Sequence, residues 1–223
     1  KAYEEQKQFI ENAAHELQTP LAIVRGKVEL LAESESLSEA QMKELDAIYS
    51  TLGRAVKLNK SLLLLSRIEN GQFSEVEEVD VDELVDGLLP DLMDIYEHKD
   101  IHLDRQRAEQ PFIIRCNPSL AQILVSNLLK NALLHNLDGG TLQVVTTPDA
   151  LLVRNSGDAP LDSEKLFRRF HHSITGKQDS NGLGLAIART IARSASLTLD
   201  YVWEEGMHVF RLVKENKKEK EEG

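Results

Sequence analysis

The sequence predicts an α+β chain in two parts, a helical hairpin that self-associates and then a mixed α/β domain. Three features predict it. Apolar residues repeat at heptad spacing through residues 10–62, the repeat stops at Asn70-Gly71, and the remainder alternates short strand and helix patterns.

In the first helix Ile10, Ala14, Leu17, Leu21, Val24, Val28 and Leu31 follow at steps of four and three, a seam that needs a helical partner. A polar stretch at 33–38 interrupts the repeat. Leu45, Ile48, Leu52, Ala55 and Leu62 then resume it, with Asn59 inside the seam. This is the pattern of a hairpin. Two helices bury such a seam less completely than four, so a homodimeric four-helix bundle is expected, with a two-stranded coiled coil or an intrachain bundle as alternatives.

Asn70-Gly71 reads as a helix stop, which sets the first domain at 1–71. The second is expected over 76–215. Residues 216–223, nearly all charged, are expected to form a disordered tail. Within the second domain the pattern predicts a strand at 76–81, an amphipathic helix at 81–98 and a strand at 112–116. Asn117-Pro118 supplies an N-cap and first-turn proline for a helix running to about His135. Strands are expected at 141–147 and 150–155 around Pro148-Asp149, a helix at 183–194, and strands at 197–203 and 208–213. Clean βαβ units are too few for a doubly wound sheet.

A formal charge of −11 argues against nucleic acid as a partner, because phosphate-backbone affinity needs a cationic surface. The single cysteine, Cys116, cannot form an intrachain disulfide and is expected inside a strand, so the cytoplasm is the expected compartment. No run of about 18 apolar residues is present. The chain opens at Lys1 directly in helical sequence, which reads as a cut through a longer protein.

His15 falls one step outside the seam, and Thr19 lies one turn further along the same helical face. A lone helical histidine is usually idle, but the neighbours of this one are suited to chemistry. A neutral imidazole carries a lone pair near neutral pH, and Glu16 is placed to orient the ring through its other N–H. Pro20 removes a helical donor one turn past His15, where a bend is expected.

The stretch from Phe9 to Leu21, FIENAAHELQTPL, resembles the phosphoacceptor box of sensor histidine kinases. The resemblance implies that His15 accepts a phosphoryl group with Glu16 as general base. It also implies that Thr19, with Gln18, positions water for dephosphorylating a partner. Gln18 stands where the family usually has a basic residue.

Four further blocks follow in family order. Asn127, Asn131 and His135 recur at four-residue steps, a polar stripe that suits either a ligand or a solvent face. The segment 127–132 resembles the asparagine box of these kinases and of the wider GHKL ATPases. By that likeness Asn131 would ligate Mg²⁺, while Asn127, Lys130 and His135 would contact phosphates or metal-bound water; Leu134 replaces a frequently basic residue. Asn155-Ser156-Gly157, by itself only a turn after a strand, resembles the first glycine box. Asn155 stands in place of an aspartate that accepts from the adenine amino group, and Ala159 in place of a glycine.

Residues 166–170 resemble the phenylalanine box, ending at Phe170, although the aromatic pair also suits core packing. A short polar stretch with Gly176, Lys177 and Asn181 follows, a candidate lid in which Lys177 is placed for the γ-phosphate. Gly182, Leu183 and Gly184 open a helix, where free amides and the dipole favour phosphate. They resemble the second glycine box, with Ser180 replacing an earlier glycine.

The likeness covers about residues 1–213. It implies a dimerisation and phosphotransfer hairpin followed by an α/β sandwich, a mixed sheet with helices on one face, using ATP and Mg²⁺. It further implies phosphotransfer to an aspartate of a response regulator receiver domain, and a parent protein anchored in the inner membrane through a missing N-terminal region. Two other readings stay open: a GHKL ATPase that works as a conformational clamp, and a dimeric scaffold that binds nucleotide weakly.

Overall fold

The computed structural model describes residues 2–33, 37–169 and 182–215, with the backbone alone for 2–13 and 15. The segment expected to form a lid, with Phe170, Gly176, Lys177, Ser180 and Asn181, and the expected tail at 216–223 lie outside the described residues. The chain divides into two compact units, 1–72 and 73–223.

The first unit is a hairpin of α1 (Ala2–Ala32) and α2 (Glu39–Glu69). Ser38 starts α2 with a reciprocal cap: its hydroxyl accepts from the Gln41 amide, and the Gln41 side chain accepts from the Ser38 amide. α1 continues through Pro20. The heptad seam splits in two. Ala14 and Val28 are 3% and 7% exposed, whereas Leu17, Val24 and Leu31 are 53%, 44% and 55% exposed. One column of the seam therefore faces α2, and the other remains uncovered in a single chain. Asn59 lies in the buried column and donates its amide to the Ala14 carbonyl at 2.7 Å, a link between the helices around the turn that carries His15.

In the second unit β1 (Glu77–Asp80) pairs antiparallel with β3 (Ile113–Cys116), and α3 (Val81–Ile95) starts at once behind Asp80, whose carboxylate caps it. A single 3-10 turn, Glu97–Lys99, ends that stretch, so the helix expected to reach 98 is shorter. β2 (His102–Arg107) has no counterpart among the expected strands. It lies at the sheet edge beside β4 (Thr141–Thr147), and Leu103 is the only strongly apolar residue in HLDRQR, so no alternation marks it. α4 (Pro118–Leu134) is capped by Asn117, whose side chain accepts from the Leu120 amide. β5 (Ala150–Ser156), the short α5 (Ser163–Leu166), α6 (Gly184–Ser194), β6 (Leu197–Glu204) and β7 (Met207–Lys214) complete the unit.

The larger sheet has the order β2-β4-β5-β7-β6, with β2 and β4 parallel and the other pairs antiparallel. One face is buried at every second residue: Leu142, Val144 and Thr146; Leu151, Val153 and Asn155; Leu197, Leu199 and Tyr201; His208, Phe210 and Leu212. The helical layer of α3, α4 and α6 packs there. α4 contributes Leu124, Leu128, Leu129 and Leu133, all fully buried; each such side chain stabilises the fold by about 1.5–3 kcal/mol.

Polar side chains enter this face at its two ends. At one, Asp82 accepts from Thr146, from the Phe112 amide at 3.0 Å and from Arg105 at 2.6 Å, tying α3 to the sheet. At the other, Asn155 stands opposite His208.

Candidate nucleotide site and phosphoacceptor helix

α4 carries Asn127, Asn131 and His135 half-buried along one stripe, beside Leu124 and Leu128, and Lys130 exposed. His135 is the C-cap residue, its amide donating to the Asn131 carbonyl at 3.1 Å. The end of α4 is held by Lys99, 7% exposed, whose Nζ donates to the carbonyls of Leu133, Leu134 and Asn136 at 3.1, 2.8 and 2.9 Å. A buried cation at the negative end of a helix dipole answers both the unpaired carbonyls and its own desolvation.

α6 begins beside this face. A Cβ built on Gly184 would lie 3.2 Å from Asn127 Oδ1, so the two residues adjoin. Gly182 has φ +63°, a left-handed conformation suited to glycine, and Leu183 at the N-cap offers no side-chain hydrogen bond to the helix. Among the described residues no side chain caps the first amides of α6, beside the polar stripe of α4, an arrangement fit for an anion.

Asn155 ends the buried row of β5. It is 1% exposed; its Nδ2 donates to the Ser156 carbonyl at 3.1 Å, and its buried Oδ1 has no hydrogen-bond partner among the described residues. A buried acceptor left unpaired costs about 1–3 kcal/mol, which a ligand donor would recover. Gly157 follows immediately, packed so closely on the His208 ring that a Cβ there would overlap it. His208 and its neighbour Tyr201 escaped the sequence reading. The signal was present, because the period of two through His208, Phe210 and Leu212 puts the histidine on the core face.

Among the described residues no group of three or more His, Cys, Asp or Glu could hold a metal ion. A divalent cation here would depend on ligand phosphates together with a side-chain amide such as that of Asn131. A separate cavity of about 290 Å³ is lined by Ser163, Glu164, Phe167, Arg189, Leu199, Asp200 and Tyr201, and includes none of the expected site residues.

In the first unit the His15 backbone continues α1 directly after buried Ala14, and its imidazole is outside the described atoms. Glu16, Gln18 and Thr19 are exposed on the turn around it. Phe170 and Lys177, also expected at the nucleotide, fall in the undescribed segment.

The family model for the His Kinase A (phospho-acceptor) domain matches residues 5–71. That for the histidine kinase-, DNA gyrase B-, and HSP90-like ATPase matches residues 116–219. The chain belongs to the sensor histidine kinases. Among sensor kinases, it is similar to the Sensor protein QseC of Escherichia coli O157:H7, 27% identical over 199 residues, covering 88% of this chain and 44% of that protein. The Sensor protein CutS of Streptomyces coelicolor is 31% identical over 205 residues, 87% of this chain and 49% of its own length. The chain thus spans about half the length of these sensor kinase relatives. Its fold is shared with full-length ShkA, solved in complex with AMPPNP, at TM-score 0.71 and 19% identity over 93% of this chain and 46% of that one.

Proposed function

We propose that this chain carries out the phosphoryl-transfer steps of a sensor kinase. The γ-phosphoryl group of ATP moves to His15 and then to an aspartate of a receiver domain. In the first step an imidazole nitrogen lone pair forms the N–P bond, the bond from the γ-phosphorus to the β,γ-bridging oxygen breaks, and ADP leaves. Glu16, on the neighbouring position of α1, orients the ring and takes up its proton. The observation that carries the reading is the pairing, in one chain, of a phosphoacceptor-family hairpin with a domain whose Asn127 adjoins the start of α6 at Gly184.

In this reading the α6 amides, Asn127, Lys130 and His135 bind phosphates, Asn155 accepts from the base amino group, and Gly157 lets backbone approach the base. Phe170 and Lys177, outside the described residues, would also contact the nucleotide, Lys177 at its γ-phosphate. Asn131 would hold Mg²⁺, whose charge offsets that building up on the phosphate oxygens. Gln18 and Thr19, exposed on the turn around His15, would direct water onto the aspartyl phosphate of the receiver domain, hydrolysing it to aspartate and inorganic phosphate.

The working form is a homodimer, supported by the uncovered column Leu17, Val24 and Leu31. No described helix is long and apolar enough to cross a membrane. The chain is read as the cytoplasmic part of a membrane-anchored sensor.

The test is transfer. Chain labelled from γ-labelled ATP is mixed with a receiver domain, and label should leave the histidine and appear as base-labile, acid-stable acyl phosphate. Stable ATP hydrolysis without labelled protein would instead favour a clamp-type ATPase.

A further inference from the structure

At the end of the sheet's buried face away from Thr146, the polar side chains Asn155, Tyr201 and His208 come together. These side chains are linked through the loop that follows Asn155. Gly157 donates its amide to the Gly206 carbonyl at 3.1 Å and packs against the His208 ring, with Trp203 3.1 Å from any added Cβ. Four residues on, the Leu161 amide donates to the Tyr201 hydroxyl at 3.0 Å. That hydroxyl is in turn 3.0 Å from His208 Nδ1. Both ends of the loop are thus fastened to the β6–β7 hairpin, one through His208 and one through Tyr201. Asp158, Ala159 and Pro160 between them are exposed.

We propose that Tyr201 and His208 are positioning residues for nucleotide-base recognition: together they hold the loop 157–161 so that the unpaired Oδ1 of Asn155 meets the amino group of the base. The proposal rests on the ATP-binding reading above. Neither residue need touch the ligand. Asn155 is their lever, since it pairs with His208 across the strands and precedes the fastened loop by two residues.

The protonation state follows from the hydrogen bonds. Tyr201 accepts from Leu161, and in the tautomer that carries its proton on Nε2 the His208 Nδ1 accepts the Tyr201 hydrogen. Protonating Nδ1 would turn that acceptor into a donor and force the Tyr201 hydrogen away. Burial opposes this and holds the ring's pKa down, while the negative charge of Asp158 in the loop works the other way. Among the described residues, Trp203 on β6, whose ring centroid lies 4.8 Å from that of His208, and Asn155, the histidine's cross-strand partner on β5, are uncharged.

The experiment is ATP binding to the full chain by calorimetry with Mg²⁺, from about pH 8 down to roughly pH 4.5, a span that reaches well below the ordinary histidine pKa. Wild type is compared with Tyr201→Phe and His208→Asn. The phenylalanine keeps the packing and loses the hydroxyl, so affinity should fall roughly fivefold or more at every pH, the equivalent of one buried hydrogen bond. Asparagine can present an acceptor near the place of Nδ1 and does not titrate. It should bind close to wild type at neutral pH and gain on wild type as the pH falls through the lowered pKa of His208. Titration of the ATP phosphates is common to all three proteins and cancels in the ratio. Tyr201→Phe binding as wild type, or a ratio of wild type to His208→Asn that does not change with pH, overturns the proposal. A wild type that binds ATP at no pH overturns the ATP reading itself.

Discussion

The amide oxygen of Asn127 lies 3.2 Å from the point where a side chain on Gly184 would begin, so the polar face of α4 and the first turn of α6 adjoin without spare room. A methyl group there is tighter than an ordinary contact, and the amide has to shift by a few tenths of an ångström. Gly184→Ala should therefore leave the melting temperature near that of wild type, because the position is helical and alanine favours helix. ATP affinity should drop by about tenfold, a change of about 1.4 kcal/mol. Titration calorimetry with melting curves on the same protein checks both; unchanged affinity would mean that Asn127 does not contact the nucleotide.

Lys99 governs the other end of the same helix. Lys99→Met keeps the length of the side chain and removes the charge that binds the Leu133, Leu134 and Asn136 carbonyls. The loss should be about 1–3 kcal/mol, from charge-assisted bonds to buried carbonyls. Chemical denaturation of the second unit reads it directly.

Stability should fall with acid in two stages. Burial, opposed by Asp158, holds His208 below the ordinary value of about 6.5. The unfolded chain then binds more protons than the folded one between the lowered value and 6.5, so stability rises with pH through that window and is lost as pH falls through it. Asp82 behaves differently. Burial works against its ionised form, but the hydrogen bonds from Thr146, the Phe112 amide and Arg105 outweigh it and leave the carboxyl below its ordinary range. Its contribution is present above about 3.9 and disappears as pH falls through the folded value. Melting temperature against pH should show both stages, and His208→Asn should remove only the upper one.

Val24 tests the bundle. It is 44% exposed and sits between Leu17 and Leu31 in the uncovered column. Val24→Asp should leave the intrachain contacts of Ala14 and Val28 in place while weakening self-association by at least about tenfold, since an unpaired charge would enter the new interface. Analytical ultracentrifugation separates the two effects. A variant as dimeric as wild type would place the dimer contact elsewhere.

Periodicity made the fold class legible, and its gaps have physical causes. The four-and-three repeat in α1 marked a seam, but a repeat does not say which column meets the partner helix of the same chain and which meets a second chain. β2 was missed because an edge strand with polar residues on both faces carries no alternation. α5 is a single turn, too short for any period to register. At the candidate site, spacing drew attention to Asn127 and Gly184, yet only the tertiary structure brings them within contact. His208 and Tyr201 were read as strand residues, since nothing local reveals that the loop after Asn155 folds back onto them.

The most direct test of the central claim is incubation of the chain with Mg²⁺ and γ-labelled ATP, comparing wild type with His15→Ala and Asn131→Ala. Acid-labile, base-stable label should appear on wild type, be absent from His15→Ala and be strongly reduced in Asn131→Ala. Label that persists in His15→Ala, or a wild type that binds ATP and stays unlabelled, would contradict the assignment of His15 as the phosphoryl acceptor.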